Sequence, residues 1–312
     1  MRRNRVFALG ATVVALAVLA AACGKSGGSG ATPSASANPP KGTITVGVSG
    51  AFAENQIVAQ MYAQVLQNAG YTVKTQLDLA SREISDKALQ SGQIDVKPEY
   101  LASELLFENP SAQASGDPTA EVSALTPLLA AKGITLLTPS AAQDTNAFVV
   151  TKETADKYGL TTVTDLAKPA ANTLVLGGPP ECPQRPFCIL GLKSVYGVDF
   201  TNRFKPLDTG GPQTVAALKA GAIQVALLFS TDPSIALNGW VVLQDDKHLQ
   251  NAENITPVVR TAVLTTDIRS LLDSVSAKLT TDNVTQLVGQ VVNQHMDAAD
   301  VAKAFLQQNG LL

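Results

Sequence analysis

The sequence predicts an α/β protein in which short strands alternate with amphipathic helices along most of the chain. Residues 43–48 (TITVGV) are rich in β-branched side chains and alternate with a period of two, which is typical of a strand. Apolar residues between Ile57 and Leu66 then fall on one helical face. The same order of strand and helix returns from residue 147 onward. We therefore expect mostly parallel sheets that are covered by helices.

The first block of this pattern runs from residue 43 to residue 137. Its first helix is expected to end at Gly70, because glycine is common just past a helix end. Residues 71–79 alternate between apolar and polar side chains, as a strand does. Strands are predicted at 43–48, 71–79, 94–96 and 134–137, and helices at 57–66, 83–90, 101–107 and 118–131.

The second block begins at residue 147, and a final group of amphipathic helices follows it. Strands are predicted at 147–150, 173–177, 204–208, 223–229, 240–243 and 257–265, and helices at 187–196, 212–220, 267–278, 283–293 and 297–308. Crossovers near Gln143–Ala147 and Gln250–Thr256 would return the end of the chain to its first block. The predicted domains are then lobe I, residues 43–145 plus 255–312, and lobe II, residues 146–254.

Size and charge narrow the class of protein. A chain of 312 residues, 45% of them hydrophobic, can form one large or two ordinary domains. The formal charge is −3, from 23 Lys and Arg against 26 Asp and Glu. Proteins that bind nucleic acid carry clustered basic residues, so we expect no nucleic-acid partner.

The first residues form an export signal rather than part of the fold. Arg2, Arg3 and Arg5 precede an uncharged apolar run, Val6–Ala22, which is typical of a secretory signal peptide. The segment LAAACG around Cys23 resembles a lipobox, in which cleavage leaves a lipid-modified cysteine at the new N-terminus. The alternative is an ordinary signal peptide, with Cys23 left as an unmodified thiol.

A tether is predicted between this cysteine and the fold. Residues 24–42 are rich in Gly, Ser and Pro and lack large apolar side chains, so they cannot bury a core. The sequence thus predicts a signal peptide at 1–22, and a lipidated Cys23 with a flexible linker at 23–42. The folded part is expected at the cell membrane, lipid-anchored and facing the extracytoplasmic side.

Catalytic and cofactor motifs are missing from the sequence. It contains neither a P-loop, nor a G-x-G-x-x-G loop, nor a G-x-S-x-G nucleophile turn. Its two histidines, His248 and His295, lack metal-ligand spacing to other candidate ligands. We therefore expect no cofactor, no metal and no enzymatic activity.

Cys182 and Cys188 form a close pair in the segment CPQRPFC. In an oxidising, exported setting such a pair is expected to be a disulfide, the alternative being two reduced thiols. A disulfide here would hold Arg185 and Phe187 in a fixed loop.

Several segments together resemble one family. They are VGVSGAFAENQ at 46–56, SRE at 81–83, IDVKPEY at 94–100, GGPPECPQRPFCILGLKSVYG at 177–197, LDTGGP at 207–212 and LFSTDP at 228–233. They resemble the substrate-binding lipoproteins of osmoprotectant ABC importers, the ProX-like binders of glycine betaine, choline, carnitine or proline, over essentially all of residues 43–312. The resemblance implies a two-lobed periplasmic-binding-protein fold of type II, with two hinge crossovers and the ligand in the cleft between the lobes. It also implies an ABC permease and its ATPase as partners, and we expect the receptor to be a monomer.

The resemblance also implies roles for individual residues. Tyr100 matches an aromatic-cage tyrosine, Phe229 matches a second cage position without the hydroxyl, and Arg185 matches the arginine that binds a carboxylate. Asp144 matches a position that presents its backbone carbonyl to the cation. Such a cage suits a quaternary ammonium, which lacks N–H donors and is attracted to ring faces. Three polar residues at strand ends or loops are further candidates for ligand hydrogen bonds or, alternatively, for helix caps: Ser81, Thr209 and Thr231.

Two cage positions lack their rings. Asn146 stands where the family commonly has Tyr, and residues 249–254 (LQNAEN) contain no aromatic residue. Phe52, Phe148 or Phe187 could supply replacement rings. The sequence therefore leaves a non-quaternary ligand open, as well as an exported α/β enzyme. Tyr100 and Phe229 could also be core residues, and Arg185 a surface ion pair.

Overall fold

The computed structural model describes residues 41–50, 52–208 and 210–312. The predicted signal peptide, Cys23, most of the linker and Thr209 lie outside these residues. Among the residues that the structure describes, no helix combines the length and the apolar character that crossing a bilayer requires.

The described strands form two sheets of five strands each. The first has the order β2-β1-β3-β10-β4. Its strands are β1 (Thr43–Ser49), β2 (Thr72–Leu79), β3 (Val96–Tyr100), β4 (Ile134–Leu136) and β10 (Ile255–Arg260). The second has the order β7-β6-β8-β5-β9. Its strands are β5 (Asn146–Val150), β6 (Leu176–Gly178), β7 (Phe204–Pro206), β8 (Val225–Phe229) and β9 (Val241–Val242).

Helices cover both sheets. Those of the first block and the chain end are α1 (Ala53–Asn68), α2 (Arg82–Ser91), α3 (Leu101–Glu108), α4 (Pro118–Ala130), α9 (Thr266–Ser276), α10 (Thr281–Val292) and α11 (Ala298–Gln308). Those of the second block are α5 (Lys152–Tyr158), α6 (Ile189–Gly191), α7 (Pro212–Lys219) and α8 (Pro233–Leu237). Side-chain N-caps mark where several helices begin. The side chains of Asp117, Thr265 and Asp297 each accept a hydrogen bond from a backbone N–H in the first turn of α4, α9 and α11.

The expectation of mostly parallel sheets was wrong for half of the strand pairs. In the first sheet β2, β1 and β3 are parallel, but β10 runs antiparallel to both β3 and β4. In the second sheet β7, β6 and β8 are parallel, but β5 runs antiparallel to β8 and β9. β5 and β10 are the strands that follow the two crossovers, so the strand before each of them in the chain belongs to the other sheet. A strand that enters in this way is not preceded by a βαβ crossover, and such a crossover is what makes neighbouring strands parallel.

Several predicted elements are displaced or shortened, among them the following three. The strand predicted at 94–96 is β3, Val96–Tyr100, so it ends at Tyr100 itself. The strand predicted at 257–265 ends at Arg260, because a 3₁₀ turn follows at Thr261–Val263. The helix predicted at 187–196 is a short α turn followed by a π turn, Leu192–Tyr196. Within the CPQRPFC loop the Cα atoms of Cys182 and Cys188 lie 5.3 Å apart, so the chain doubles back just before this helix.

The molecule is two-lobed, as expected, with one sheet in each lobe. Two apolar clusters pack around the first sheet and two around the second. The connecting segments lie side by side: Gln143 and Asn254 form an antiparallel bridge, and the backbone N–H of Asp144 donates to the Glu253 carbonyl at 3.3 Å. The strand ends of both lobes therefore meet at these crossovers. The lobe boundaries at 145/146 and 254/255 remain a prediction.

Candidate functional site

A cavity of about 360 Å³ lies beside the two crossovers and takes side chains from both lobes. The described residues that line it are Phe52, Arg82, Tyr100, Ser103, Leu106, Asp144, Thr145, Asn146, Phe187, Phe229, Gln250, Asn251 and Glu253. Tyr100 and Phe229 each end a strand, and Phe52 and Arg82 stand at the starts of helices α1 and α2. Ligands of open α/β sheets commonly bind at such strand ends.

Aromatic rings from the two lobes face the same cavity. The Phe52 ring meets the Tyr100 ring edge-on, with centroids 6.3 Å apart and an angle of 89°. It also meets Phe229 of the second lobe at 6.4 Å and 68°. Phe187 lines the cavity from the loop between the paired cysteines. Together these four rings form an apolar wall that can attract a cation through its π faces.

Gln250 links the Phe187 loop to the crossovers. Its side-chain Nε2 donates to the Phe187 backbone carbonyl at 2.9 Å. Its Oε1 accepts a hydrogen bond from Asn146 Nδ2 at 3.2 Å. The position commonly filled by Tyr in the family thus carries an amide, which helps to hold the Phe187 loop against the cavity.

Behind the Tyr100 ring lies a group of acidic side chains. The Tyr100 hydroxyl donates to the Glu54 carboxyl group, and the Asp144 carboxyl lies close enough for its charge to act on Glu54. Asp144 Oδ1 accepts from the Thr231 hydroxyl at 2.6 Å and from the Thr231 backbone N–H at 3.3 Å. We call Glu54 and Asp144 the carboxyl pair. It joins helix α1, the first crossover and the end of β8.

Burial governs the protonation of the carboxyl pair. Glu54 is 3% exposed. Its burial, reinforced by the nearby Asp144 charge, raises the pKa of Glu54 to about 7. Burial likewise raises the pKa of Asp144, against the hydrogen bonds from Thr231. Two buried carboxyl groups that lie close together cannot both ionise cheaply, so near neutral pH the pair holds one proton.

A second acidic group, in contrast, contains two basic side chains, which form ion pairs with its carboxylates. Lys97 is 1% exposed; its ammonium contacts Asp86 and lies 3.1 Å from Glu99 Oε1. Arg82 Nη2 lies 2.9 Å from Glu99 Oε2, and Arg82 Nε lies 3.4 Å from Glu104 Oε2. We call Arg82, Asp86, Lys97, Glu99 and Glu104 the ion-pair cluster. Burial alone would raise the pKa of Glu99, but the charges of Lys97 and Arg82 lower it to about 2.

The structure brings most of the predicted site residues together. Tyr100, Phe229, Phe52, Asp144 and Asn146 line the one cavity, as does Phe187. Thr231 is not among the residues that line the cavity. Its hydroxyl and backbone N–H donate to the side-chain carboxyl of Asp144.

Three other candidates lie elsewhere. Phe148 is buried in the apolar core of the second lobe. Ser81 precedes helix α2 but makes no capping hydrogen bond with its side chain. The Arg185 side chain is 65% exposed, with its guanidinium 3.9 Å from Glu181. It is therefore outside the cavity lining in this structure, and its role as a carboxylate ligand stays a prediction.

Sequence reasoning missed several polar groups of the site. Glu253 on the second crossover accepts hydrogen bonds from the Ser103 hydroxyl at 2.9 Å and from the Ser103 backbone N–H at 3.1 Å. These residues are 150 positions apart, so only the fold brings them together. Glu54 could have been identified as a candidate from the sequence, because it lies two residues after Phe52 in the segment VGVSGAFAENQ, which resembles the family.

A two-lobed α/β fold with a ring-lined cavity at paired crossovers defines the class of extracytoplasmic solute-binding proteins. The profile of one family matches residues 42–308: the substrate-binding domain of the ABC-type glycine betaine transport system. The chain belongs to this family.

Curated relatives and solved structures agree with this membership. The chain is 29% identical over 272 residues to a glycine-betaine-binding protein of Pseudomonas aeruginosa, covering 84% of this chain and 86% of that one. It is 26% identical over 268 residues to glycine betaine-binding protein YehZ of Escherichia coli K12, covering 82% and 88%. A crystal structure of a glycine betaine/carnitine/choline ABC transporter superposes with a TM-score of 0.79 at 26% identity, covering 86% of this chain and 99% of that one.

Proposed function

We propose that this chain is a receptor that captures a small solute with a quaternary ammonium group and delivers it to a membrane permease driven by an ATPase. The observation that carries the proposal is the cavity itself. Phe52, Tyr100, Phe187 and Phe229 converge there from both lobes, beside the carboxylate-bearing Asp144 and Glu253. Ring faces and negative charge both attract a permanent cation, and each desolvated cation–π contact contributes about 2 kcal/mol.

The relatives support the same ligand class. The Pseudomonas aeruginosa and Escherichia coli proteins are both named for glycine betaine. Among the described lining residues, Arg82 is the one basic side chain, and Glu99 already engages it. We therefore propose that the ammonium group provides most of the binding energy, and that a ligand carboxylate is not required.

The proposal includes no covalent chemistry. The solute enters the cleft, the lobes close about the crossovers, and the closed form is recognised by the permease. The receptor acts as a monomer, with lobe I formed by residues 43–145 and 255–312 and lobe II by residues 146–254.

Attachment to the membrane is proposed through Cys23. A diacylglyceryl thioether at Cys23, with a further acyl chain, would anchor the protein where a single chain would not. Mass spectrometry of protein from the membrane fraction tests this, and an unmodified Cys23 would contradict it.

A disulfide between Cys182 and Cys188 is also proposed. Their Cα separation of 5.3 Å is within the range that a disulfide spans. The bond would hold the loop that carries Phe187. Peptide mapping without reductant tests it, and free thiols at both positions would contradict it.

The ligand proposal is tested by thermal unfolding with glycine betaine, choline, carnitine and proline. A ligand at 100 times its Kd stabilises the folded state by about 2.7 kcal/mol, which raises the melting temperature by several degrees. We expect the compounds with a trimethylammonium group to stabilise more than proline does. If none of the four compounds shifts the melting curve, the proposed ligand class is wrong. If a bound compound is instead converted to a product, the alternative of an exported α/β enzyme is favoured.

A further inference from the structure

The carboxyl pair has a property that solute capture alone does not require. Glu54 is buried behind the Tyr100 ring, whereas Asp144 reaches the cavity wall. The Glu54 carboxyl accepts a hydrogen bond from the Tyr100 hydroxyl with one oxygen, and the charge of the nearby Asp144 carboxyl acts on it. One carboxyl of the pair thus lies where a ligand cation would sit, and its buried neighbour can hold a proton.

The surroundings of the pair do not neutralise it. Tyr100 and Thr231 donate hydrogen bonds, and both are uncharged. Asp232 adds a further negative charge near Asp144, and Glu99 adds one behind Tyr100. Glu99 is already compensated by Lys97 and Arg82, so neither base is free to serve the pair. A proton or a bound cation is the remaining way to offset the second negative charge.

Building on the proposed function, we propose that the Glu54–Asp144 pair holds one proton in the empty receptor and releases it to solvent when a cation enters the cavity. The O–H bond of Glu54 breaks, the proton goes to buffer, and the pair becomes two carboxylates, of which Asp144 faces the bound cation. Capture of a cation is then an exchange for a proton and becomes tighter as the pH rises.

The expected size of the effect follows from linkage. With the pKa of Glu54 at about 7 in the empty receptor, most molecules are protonated at pH 6 and few at pH 8. If only the deprotonated form binds the cation well, the Kd falls about tenfold between these pH values. Near pH 7, about half a proton is released for each cation bound.

The experiment is isothermal titration calorimetry of choline into the purified receptor at pH 6, 7 and 8. At pH 7 it is repeated in phosphate and in Tris, whose heats of ionisation differ, so that the protons released are counted directly. We expect the tenfold change in Kd and the fractional proton release. Dimethylbutanol, the uncharged carbon isostere of choline, is expected to bind without releasing a proton.

Two variants locate the proton. Glu54→Gln keeps an acceptor for the Tyr100 hydroxyl but cannot titrate, so its Kd for choline should not vary with pH and should be at least as high as that of the wild type at pH 6. Glu104→Gln is the matched control. Glu104 is also a buried carboxyl, with a pKa raised by burial to about 8, but it lies outside the cavity lining. This variant should keep the tenfold dependence.

The outcomes separate the two proposals. Measurable choline binding with the same Kd at pH 6 and pH 8 and no proton release would overturn the exchange and leave the proposed function standing. A pH dependence that survives in Glu54→Gln would overturn the role of the pair. If the wild type binds no quaternary ammonium at any pH, the proposed function falls, and the exchange falls with it. The number of protons released is measured on the wild-type receptor, so this test does not depend on whether a variant folds.

Discussion

The carboxyl pair and the ion-pair cluster are two buried acidic groups in the same lobe, and Tyr100 separates them. In the cluster, Lys97 and Arg82 compensate Glu99, and its pKa falls to about 2. In the pair, Glu54 meets another carboxyl instead of a base, and burial raises its pKa to about 7. The comparison shows how a single lobe can bury acids for two purposes. A compensated group supports the structure, whereas an uncompensated one at a cavity wall is available to an external cation.

The largest effect is expected from removing the internal cation of the ion-pair cluster. Lys97→Met leaves Asp86 and Glu99 buried without their ammonium partner, so unfolding in urea should show a loss of about 3–5 kcal/mol. Lys152→Met, which breaks an exposed ion pair with Asp156, is the control and should cost less than about 1 kcal/mol. Equal losses in the two variants would mean that the cluster does not support the fold.

The next effect distinguishes the two groups by the pH dependence of stability. Because the pKa of Glu54 in the folded state is about 7 against 4.5 for the free group, the folded protein holds this proton more tightly than the unfolded chain does. Its contribution is therefore complete below pH 4.5 and is lost as the pH rises through 7, by up to about 3 kcal/mol. For Glu99 the sign is reversed: its contribution is present above pH 4.5 and is lost as the pH falls toward 2.

Urea unfolding of the ligand-free protein between pH 3 and pH 8 measures both slopes. Glu54→Gln should reduce the loss of stability on the alkaline side, whereas Glu99→Gln should weaken the loss on the acid side. If both variants change the same side of the profile, the two groups do not differ in the way described.

The smallest effect concerns the ring between the two groups. Tyr100→Ala removes one cation–π contact of about 2 kcal/mol, so the Kd for choline should rise about 30-fold. Tyr100→Phe keeps the ring and loses the hydrogen bond to Glu54, so it should bind more tightly than the alanine variant. Arg185→Ala is the control and should leave choline binding unchanged; a loss there equal to that of Tyr100→Ala would place Arg185 in the site after all.

The order of strands and helices was largely predictable because local patterns carry it. Alternation marked β1 and β2, and one-sided apolar spacing marked helices such as α1 and α11. The direction of β5 and β10 was not predictable from those patterns. Whether a strand runs parallel depends on how the chain enters the sheet, and period-two alternation is the same in both directions.

Part of the candidate site was within reach of the sequence as well. Tyr100 and Phe229 end strands, and the PEY and FSTDP segments carried the family resemblance to those positions. The contact between Ser103 and Glu253, and the proximity of Glu54 to Asp144, involve residues far apart in the chain. No local pattern reports such contacts, because they depend on how the crossovers lie against the first sheet.

The sequence by itself determined the class of fold, the family and the aromatic residues from which a cage could form, because residue types and their spacing express these directly. Only the tertiary structure decided which rings share a cavity, that Arg185 lies outside it, and which buried acids have a basic partner. The physical reason is that burial and charge compensation depend on every group within a few ångströms of a side chain. In this protein those groups come from both lobes and both crossovers.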